Sequence, residues 1–207
     1  MHKLALAFLL CASAFASTFT YNVSVNTSSL TGTGTLYFQF NPGDVTSDLA
    51  TATISNFSGA VLNGSPLFSG SSSGSLASSL AIANTSSNND ALQAVTFGSL
   101  LAFRVRIAET YTGTATTGSV FNFGIYKDDG FTPLLTTQQD GYSVIVNLDN
   151  ANHAAAQSTT SSAVITNAVP EPGTLTGAGV ALCGLILTMR RKGSRPSFLH
   201  PDRNLFS

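Results

Sequence analysis

Apolar and polar residues alternate along several short stretches of this 207-residue chain, and such alternation is typical of half-buried β-strands. Segments rich in Gly, Asn, Asp and Ser separate these stretches and predict turns. The sequence therefore predicts an all-β body, an antiparallel β-sandwich, of which the jelly roll is one form. The clearest strands are predicted at Phe19 to Val25, Leu36 to Phe40, Leu101 to Ile107, Phe121 to Ile125 and Tyr142 to Leu148, and weaker ones at Asp48 to Phe57 and Leu76 to Ile82.

Two further segments lie beside the predicted strands. The Asp-Gly step at Asp129 predicts a hairpin after the strand that ends at Ile125. Phe131 to Leu135 would form its second arm near a sheet edge, because Pro133 has no N–H to donate. The body is predicted over residues 17–150, and residues 151–168, which are rich in Ala, Ser and Thr, are predicted to be an edge strand or a linker.

Charged residues are scarce, at 9% of the chain, and unevenly distributed. From Ser17 to Ala168 there are eight acidic and three basic residues, which gives a net charge of −5, and the other basic residues lie in the two terminal segments. Binding to a phosphate backbone needs clustered Lys and Arg side chains. Nucleic acid is therefore not an expected partner of the body.

Residues 1–16 have the three regions of a secretory signal peptide. A basic start is followed by an apolar centre from Leu4 to Ala12, and Ala14 and Ala16 are the small residues of an A-x-A cleavage site. Cleavage after Ala16 would leave Ser17 as the first residue of the mature protein. A buried N-terminal helix is the alternative, but the order of the three regions favours export through the Sec translocon.

The C-terminal segment contains a Pro-Glu-Pro motif, an apolar stretch and a basic cluster. Each proline fixes its own φ and disfavours helix in the residue before it, so the motif is expected to be extended. The 17 uncharged residues at 173–189 would form a helix about 26 Å long, slightly shorter than the hydrocarbon core of a bilayer. The basic cluster would hold its end on the cytoplasmic side, so residues 173–189 are predicted to be a short transmembrane helix. The motif consists of Val169, Pro170, Glu171 and Pro172, and the membrane stop of Arg190, Arg191 and Lys192.

This order of motif, apolar span and basic cluster, together with the signal peptide at the other end, resembles the PEP-CTERM sorting domain of exported bacterial proteins. The resemblance covers residues 169–192. It implies that an exosortase, a membrane-embedded enzyme similar to cysteine proteases, recognises Pro170 to Pro172 while Leu175 to Met189 holds the protein in the membrane. It also implies association with exopolysaccharide and a biofilm-type matrix. A stiff stalk before a permanent membrane anchor is the alternative.

The resemblance has one departure and one weaker extension. Members of the family usually end soon after the basic cluster, whereas residues 193–207 continue here and are predicted to be a basic, disordered cytoplasmic tail. In the body, Leu36 to Gly43 and Thr132 to Thr137 resemble a subgroup of such proteins that has no assigned activity. The resemblance therefore implies a route of sorting and leaves the role of the body open.

Residues suited to catalysis are few. His153 lies in an Ala/Asn-rich segment and no G-x-S-x-G pattern accompanies it, so we expect it to be solvated. Asp128 and Asp129 are adjacent, but their turn context favours backbone hydrogen bonding over catalysis or calcium binding. Both cysteines, Cys11 and Cys183, fall in the terminal segments, and no metal-binding set of His and Cys is present. No catalytic residue, metal or cofactor is predicted.

Carbohydrate binding is the strongest functional alternative to a structural role. Tyr37, Tyr111 and Tyr126 could present rings on a strand face or loop, although ordinary amphipathic surface would explain them equally well. The chain has no Trp, and most Phe residues occupy positions expected in the core. The sequence therefore predicts a non-enzymatic, structural protein of the cell surface or matrix. A carbohydrate-binding module is the alternative, and a secreted hydrolase ranks below both.

Overall fold

The computed structural model describes residues 15–168, which form eleven β-strands. None of these residues belongs to a helix with the length and apolar character needed to cross a membrane. The all-β class predicted for the body is confirmed. The strands are β1 (Phe15–Asn26), β2 (Thr33–Pro42), β3 (Ala50–Leu62), β4 (Leu67–Ser69), β5 (Ser72–Gly74), β6 (Ser79–Ala83), β7 (Asp90–Tyr111), β8 (Ser119–Tyr126), β9 (Tyr142–Leu148), β10 (Ala154–Ser158) and β11 (Ala163–Asn167).

The strands form one large antiparallel sheet. Its main path runs in the order β10, β9, β8, β2, β7, β3, β6 and β5. Three strands lie off this path: β1 pairs with both β7 and β11, and β4 pairs with β7. The long strand β7 therefore has more partners than any other described strand.

Strand β7 connects two halves of the sheet, the first around β2 and β8 and the second around β1 and β11. Its first part, Asp90 to Thr96, pairs with β2, and its second part, Leu100 to Tyr111, pairs with β1. Strand β3 follows β7 through both parts, with register shifts between Ser55 and Ala60. Gly59 lies in this irregular segment with φ +95, and its carbonyl oxygen lies only 2.3 Å from where a Cβ on Gly98 would be. No side chain therefore separates the backbones of β3 and β7 where β7 passes from one half of the sheet to the other.

Side chains from both halves meet in one hydrophobic core. Phe38 of β2 and Phe123 of β8 come from the first half, and Phe103 of β7 comes from the second. Their ring centroids are 4.9 to 5.5 Å apart, and their planes are tilted or edge-on, which is the favoured arrangement of aromatic pairs. The other large side chains that are fully buried include Phe40, Phe121, Leu36, Ile54, Leu80, Ile82, Leu101, Ile107 and Ile125.

The strands predicted from the clearest alternation are confirmed in β1, β2, β8, β9 and the second part of β7. The first part of β7 is not predicted by alternation because the usual polarity is inverted there. Gln93 faces the core and is only 1% exposed, whereas Leu92 lies half-buried on the outer face. The Gln93 Nε2 donates to the carbonyl oxygens of Ala94 (2.9 Å) and Gly64 (3.2 Å), which offsets part of the cost of burying the amide.

Two segments after β8 also differ in detail from the predicted pattern. Phe131 to Leu135 runs back along β8, but it forms only a single bridge, between Tyr126 and Pro133, instead of a strand. Residues 151–168 contain β10 and β11, and the compact unit of the chain extends to Ala168. The segment predicted as an edge strand or a linker thus contributes two strands to the sheet.

Candidate functional site

The residues predicted to direct sorting lie mostly outside the described part of the chain. Ala16 and Ser17 are exceptions, because they follow Phe15 in β1 and pair with Thr110 and Glu109. Cleavage after Ala16 would leave β1 to start at Ser17. The predicted elements outside the described residues are Ala14, the motif Val169, Pro170, Glu171 and Pro172, the span 173–189, the stop Arg190, Arg191 and Lys192, and the tail 193–207.

A cluster of tyrosine, amide and carboxylate side chains lies on the outer surface of the first half of the sheet. Alternation along β2 buries Phe38 and Phe40 and leaves Tyr37 and Gln39 on the opposite face. The cross-strand partners of Gln39 are Asp90 of β7 and Asn122 of β8. We call this surface the tyrosine–amide face; it consists of Tyr37, Gln39, Asn88, Asp90, Asn122, Tyr126 and Tyr142.

Gln39 joins this face through four hydrogen bonds. Its Nε2 donates to the Tyr37 hydroxyl (2.9 Å) and to Asn88 Oδ1 (3.3 Å). Its Oε1 accepts from the Tyr142 hydroxyl (2.9 Å) and from Asn122 Nδ2 (3.1 Å). Both donors and both lone pairs of the amide are therefore in use, which fixes the orientation of the surrounding side chains.

A carboxylate completes the network at one side. Asp90 Oδ2 accepts from Asn88 Nδ2 (2.9 Å) and from the Tyr37 hydroxyl (3.3 Å). Asn88 is exposed, whereas Asp90 is only 6% exposed. The network therefore extends from a nearly buried carboxylate to amide groups that water or a ligand can reach.

The three tyrosine rings pack against one another. The Tyr37 and Tyr142 rings are nearly parallel, at 12° with centroids 6.3 Å apart, and Tyr126 meets Tyr37 edge-on at 6.0 Å. Tyr126 is buried and donates its hydroxyl to the carbonyl oxygen of Asp140 (3.0 Å). A Cβ at Gly124 would lie 2.6 Å from Tyr126 Cε2, so glycine leaves the space that this ring occupies. Tyr37 and Tyr142 are half-buried and present part of each ring to solvent.

The environment keeps all three phenols protonated. Burial raises the pKa of Tyr126 to about 12, with smaller contributions from Tyr142 and Asp140. Burial also raises the pKa of Tyr37, and the neighbouring Asp90 carboxylate adds to the effect. The pKa of Tyr142 is raised for the same main reason, loss of hydration. The hydrogen bonds that these three hydroxyl groups donate within the protein are therefore kept at any physiological pH.

The structure brings together two of the three tyrosines predicted as candidates. Tyr37 and Tyr126 both belong to the face, whereas Tyr111 ends β7 in the other half of the sheet. Tyr142 is not among these candidates, because strict alternation along the strand predicts that its side chain faces the core with that of Val144. A register shift opposite Gly124 moves Tyr142 to the outer face. Such a bulge is not visible as a pattern in the sequence, although the adjacent Gly141 marks a break.

The adjacent carboxylates at the turn after β8 have structural contacts. Asp129 Oδ1 accepts from the backbone N–H groups of Phe131 (2.8 Å) and Thr132 (2.9 Å). Hydrogen bonds from Thr132 are the main cause that lowers the pKa of Asp129 to about 2. Asp128 Oδ2 accepts from the Thr33 hydroxyl (2.8 Å). These contacts agree with the predicted turn role.

His153 forms a local pair with one acid. Its Nδ1 lies 2.9 Å from Asp149 Oδ2, and hydrogen bonds from His153 are the main cause that lowers the pKa of Asp149. Both side chains are exposed. Within residues 15–168, no hydrogen bond links His153 to a Ser or Thr hydroxyl, and no group of three His, Cys, Asp or Glu side chains is arranged to hold a metal ion.

A separate carboxyl group lies at one end of the core. Glu109 continues the inward face of β7 beyond Ile107, is only 3% exposed, and its Oε2 has no hydrogen-bond partner. Burial raises the pKa of Glu109, and the charges of Asp48 and Asp149 raise it further. The neutral acid therefore persists to a higher pH at this position than in an ordinary Glu.

We expect Glu109→Gln to stabilise the protein at neutral pH, because it removes the cost of a buried charge. The pKa of Glu109 is raised from its ordinary value of 4.5, so the cost is absent below that pH and grows as pH increases above it. Melting temperatures of the wild type and the variant should converge near pH ~4 and separate near pH ~7. Exposed Asp140, replaced by Asn, is the control. A Gln variant less stable than the wild type at neutral pH would contradict the assignment.

Comparison of the chain with protein-family models, with curated proteins and with solved structures gives no match.

Proposed function

We propose that this is an exported, non-enzymatic protein of the cell surface or extracellular matrix, delivered by the Sec translocon and sorted by its C-terminal segment. The signal-peptide pattern of residues 1–16 supports export. The Pro-Glu-Pro motif, the apolar span at 173–189 and the basic cluster that follows it support sorting by an exosortase-type enzyme. The protein is held in the membrane by this span until the tail is processed.

The position of the last strand is the observation that carries this proposal. Strand β11 ends at Asn167 and the compact unit ends at Ala168, so the motif begins at Val169 directly after the folded body. Proline at 170 and 172 favours an extended backbone at Val169 and Glu171. An extended segment next to a stable body is what a processing enzyme can bind without unfolding its substrate.

For the body, we propose that the two halves of the sheet are the two layers of a β-sandwich. The packing of Phe103 against Phe38 and Phe123 supports this arrangement, because residues of both halves meet in one core. The passage of β7 from one half to the other provides the connection. A jelly roll is one form that such layers take.

The sorting proposal is tested by changing the motif in the producing cell. Replacing Pro170, Glu171 and Pro172 together by alanine is expected to leave the protein in the membrane fraction, because the processing enzyme loses its recognition site. Asp202→Ala, in the segment after the basic cluster, is the control and should be sorted normally. Equal amounts of both variants in the surface fraction would contradict the role of the motif.

A second candidate function is carbohydrate binding, and the tyrosine–amide face favours it. Sugar rings present apolar C–H groups to aromatic side chains and hydroxyl groups to amides and carboxylates. Tyr37 and Tyr142 supply partly exposed rings, and exposed Asn88 supplies an amide group beside them. The hydrogen-bond network holds these groups in place before a ligand arrives, which lowers the entropy cost of binding.

A glycan array separates the two candidates. Saturable binding that is lost in Tyr37→Ala but retained in Tyr111→Ala would support carbohydrate binding through the face. Tyr111 is the matched control because it is a tyrosine in the other half of the sheet. Absence of binding to every polymer on the array would leave the structural role as the one remaining candidate.

A further inference from the structure

The register of the strands arranges the outer surface in two neighbouring rows that run across the sheet. Leu67 of β4 lies opposite Leu92 of β7, which lies opposite Tyr37 of β2. Tyr37 in turn lies opposite Gly124 of β8, whose other partner is Tyr142 of β9. These residues form the apolar row. It crosses five strands, so at a strand spacing of about 4.8 Å it is about 19 Å long.

The second row lies two residues further along the same strands. Ser69 lies opposite Asp90, Asp90 opposite Gln39, and Gln39 opposite Asn122. We call these four residues the polar row. Two residues along a strand correspond to about 6.7 Å, which is close to the width of one sugar ring. A ligand lying on the apolar row would therefore have the polar row along one side.

We infer that this face takes a neutral, linear polysaccharide whose chain crosses the strands along the apolar row, an inference that rests on the proposed carbohydrate-binding function. Successive sugar rings contact Leu67, Leu92, Tyr37 and Tyr142. Their hydroxyl groups meet exposed Asn88, which donates to Asp90 and Ser69 of the polar row. Leu67 is 73% exposed, so the far end of the row is open. The strand spacing and the length of one sugar unit are similar, which suits one ring per strand.

The charges favour an uncharged polymer. Asp90 is the only carboxyl group in the two rows, and neither row contains Lys or Arg. The chain from Ser17 to Ala168 carries a net charge of −5, which repels a polyanion. An acidic polysaccharide would therefore find no counter-charge on this face.

Calorimetric titration of the full chain, held in a detergent without a sugar head group, tests this inference. The probes are linear oligosaccharides, from disaccharide to hexasaccharide, of β-1,4-glucan, β-1,3-glucan, β-1,4-mannan and β-1,4-linked N-acetylglucosamine, with alginate as the anionic probe. Affinity for at least one neutral series should rise with length until the row is filled, and alginate should not bind. Tyr37→Ala should weaken binding at every length by about tenfold.

Leu67→Ser distinguishes the row from a single sugar site. This substitution should weaken binding of the hexasaccharide by about threefold and leave binding of the disaccharide unchanged, because only a long chain reaches β4. Tyr111→Ala should bind like the wild type. Binding that needs Tyr37 but is independent of length and of Leu67 would overturn the row while leaving carbohydrate binding intact. Failure of the wild type to bind any of the neutral series would overturn both.

Discussion

Replacing Phe38 by alanine is expected to lower the free energy of unfolding by about 3 to 5 kcal/mol. The Phe38 ring is fully buried and contacts Phe103 at 5.5 Å and Phe123 at 4.9 Å between centroids. Truncation removes the apolar area of the ring and leaves a cavity between the two halves of the sheet. Strands on both sides constrain the cavity, so the core cannot readily collapse to fill it.

Urea denaturation followed by circular dichroism measures this loss. Phe131→Ala is the matched control, because its ring is 85% exposed and its removal should change the free energy of unfolding by less than about 0.5 kcal/mol. Similar losses in both variants would mean that the Phe38 cluster is not the centre of the core.

Gly59→Ala is expected to be the second severe substitution and to lower the free energy of unfolding by about 3 kcal/mol or more. Gly59 has φ +95, a conformation that disfavours any side chain, and an added Cβ would lie 1.8 Å from the carbonyl oxygen of Leu100. The clash is with backbone, so β3 or β7 would have to move where β7 passes between the two halves of the sheet. The same denaturation experiment measures the effect.

Gly64 provides the control for this prediction. It also has positive φ (+75), but an added Cβ would have no atom within 4 Å. Gly64→Ala therefore carries only the conformational cost, about 1 to 2 kcal/mol. A loss in Gly59→Ala no larger than that in Gly64→Ala would show that close contact between β3 and β7 is not required.

The strands that could be predicted are those whose faces differ in polarity. Tyr21, Val23 and Val25 alternate with polar residues in β1, so the period of two is visible without any tertiary information. The first part of β7 lacks this signal because Gln93 faces inward and Leu92 outward. What stabilises it is pairing with β2 and the carbonyl partners of Gln93, both of which depend on residues distant in sequence.

The candidate site was predictable only in part for a similar reason. The outward direction of Tyr37 and Tyr126 follows from the alternation of β2 and β8. Tyr142 reaches the same face through a register shift, and Asn88 reaches it from the loop before β7. Neither position can be derived from local periodicity. The convergence of these groups on Gln39 is a property of the sheet as a whole.

The role of the body and the sorting of the protein depend on different segments of the chain. The body from Ser17 to Ala168 needs a stable sheet and an outer face with fixed polar groups. The segment from Val169 to Lys192 needs an extended motif, an apolar span and a basic end. Substitutions in the tyrosine–amide face should therefore leave sorting unchanged, and substitutions in the motif should leave the fold of the body unchanged.

Intact-mass spectrometry of the protein recovered from the surface or matrix of the producing cell tests the central claim most directly. The proposed route predicts a mature chain that begins at Ser17 and lacks residues 175–192 together with everything after them. A mass that includes the complete segment from Leu175 to Ser207 would contradict processing of the tail and would identify the apolar span as a permanent anchor.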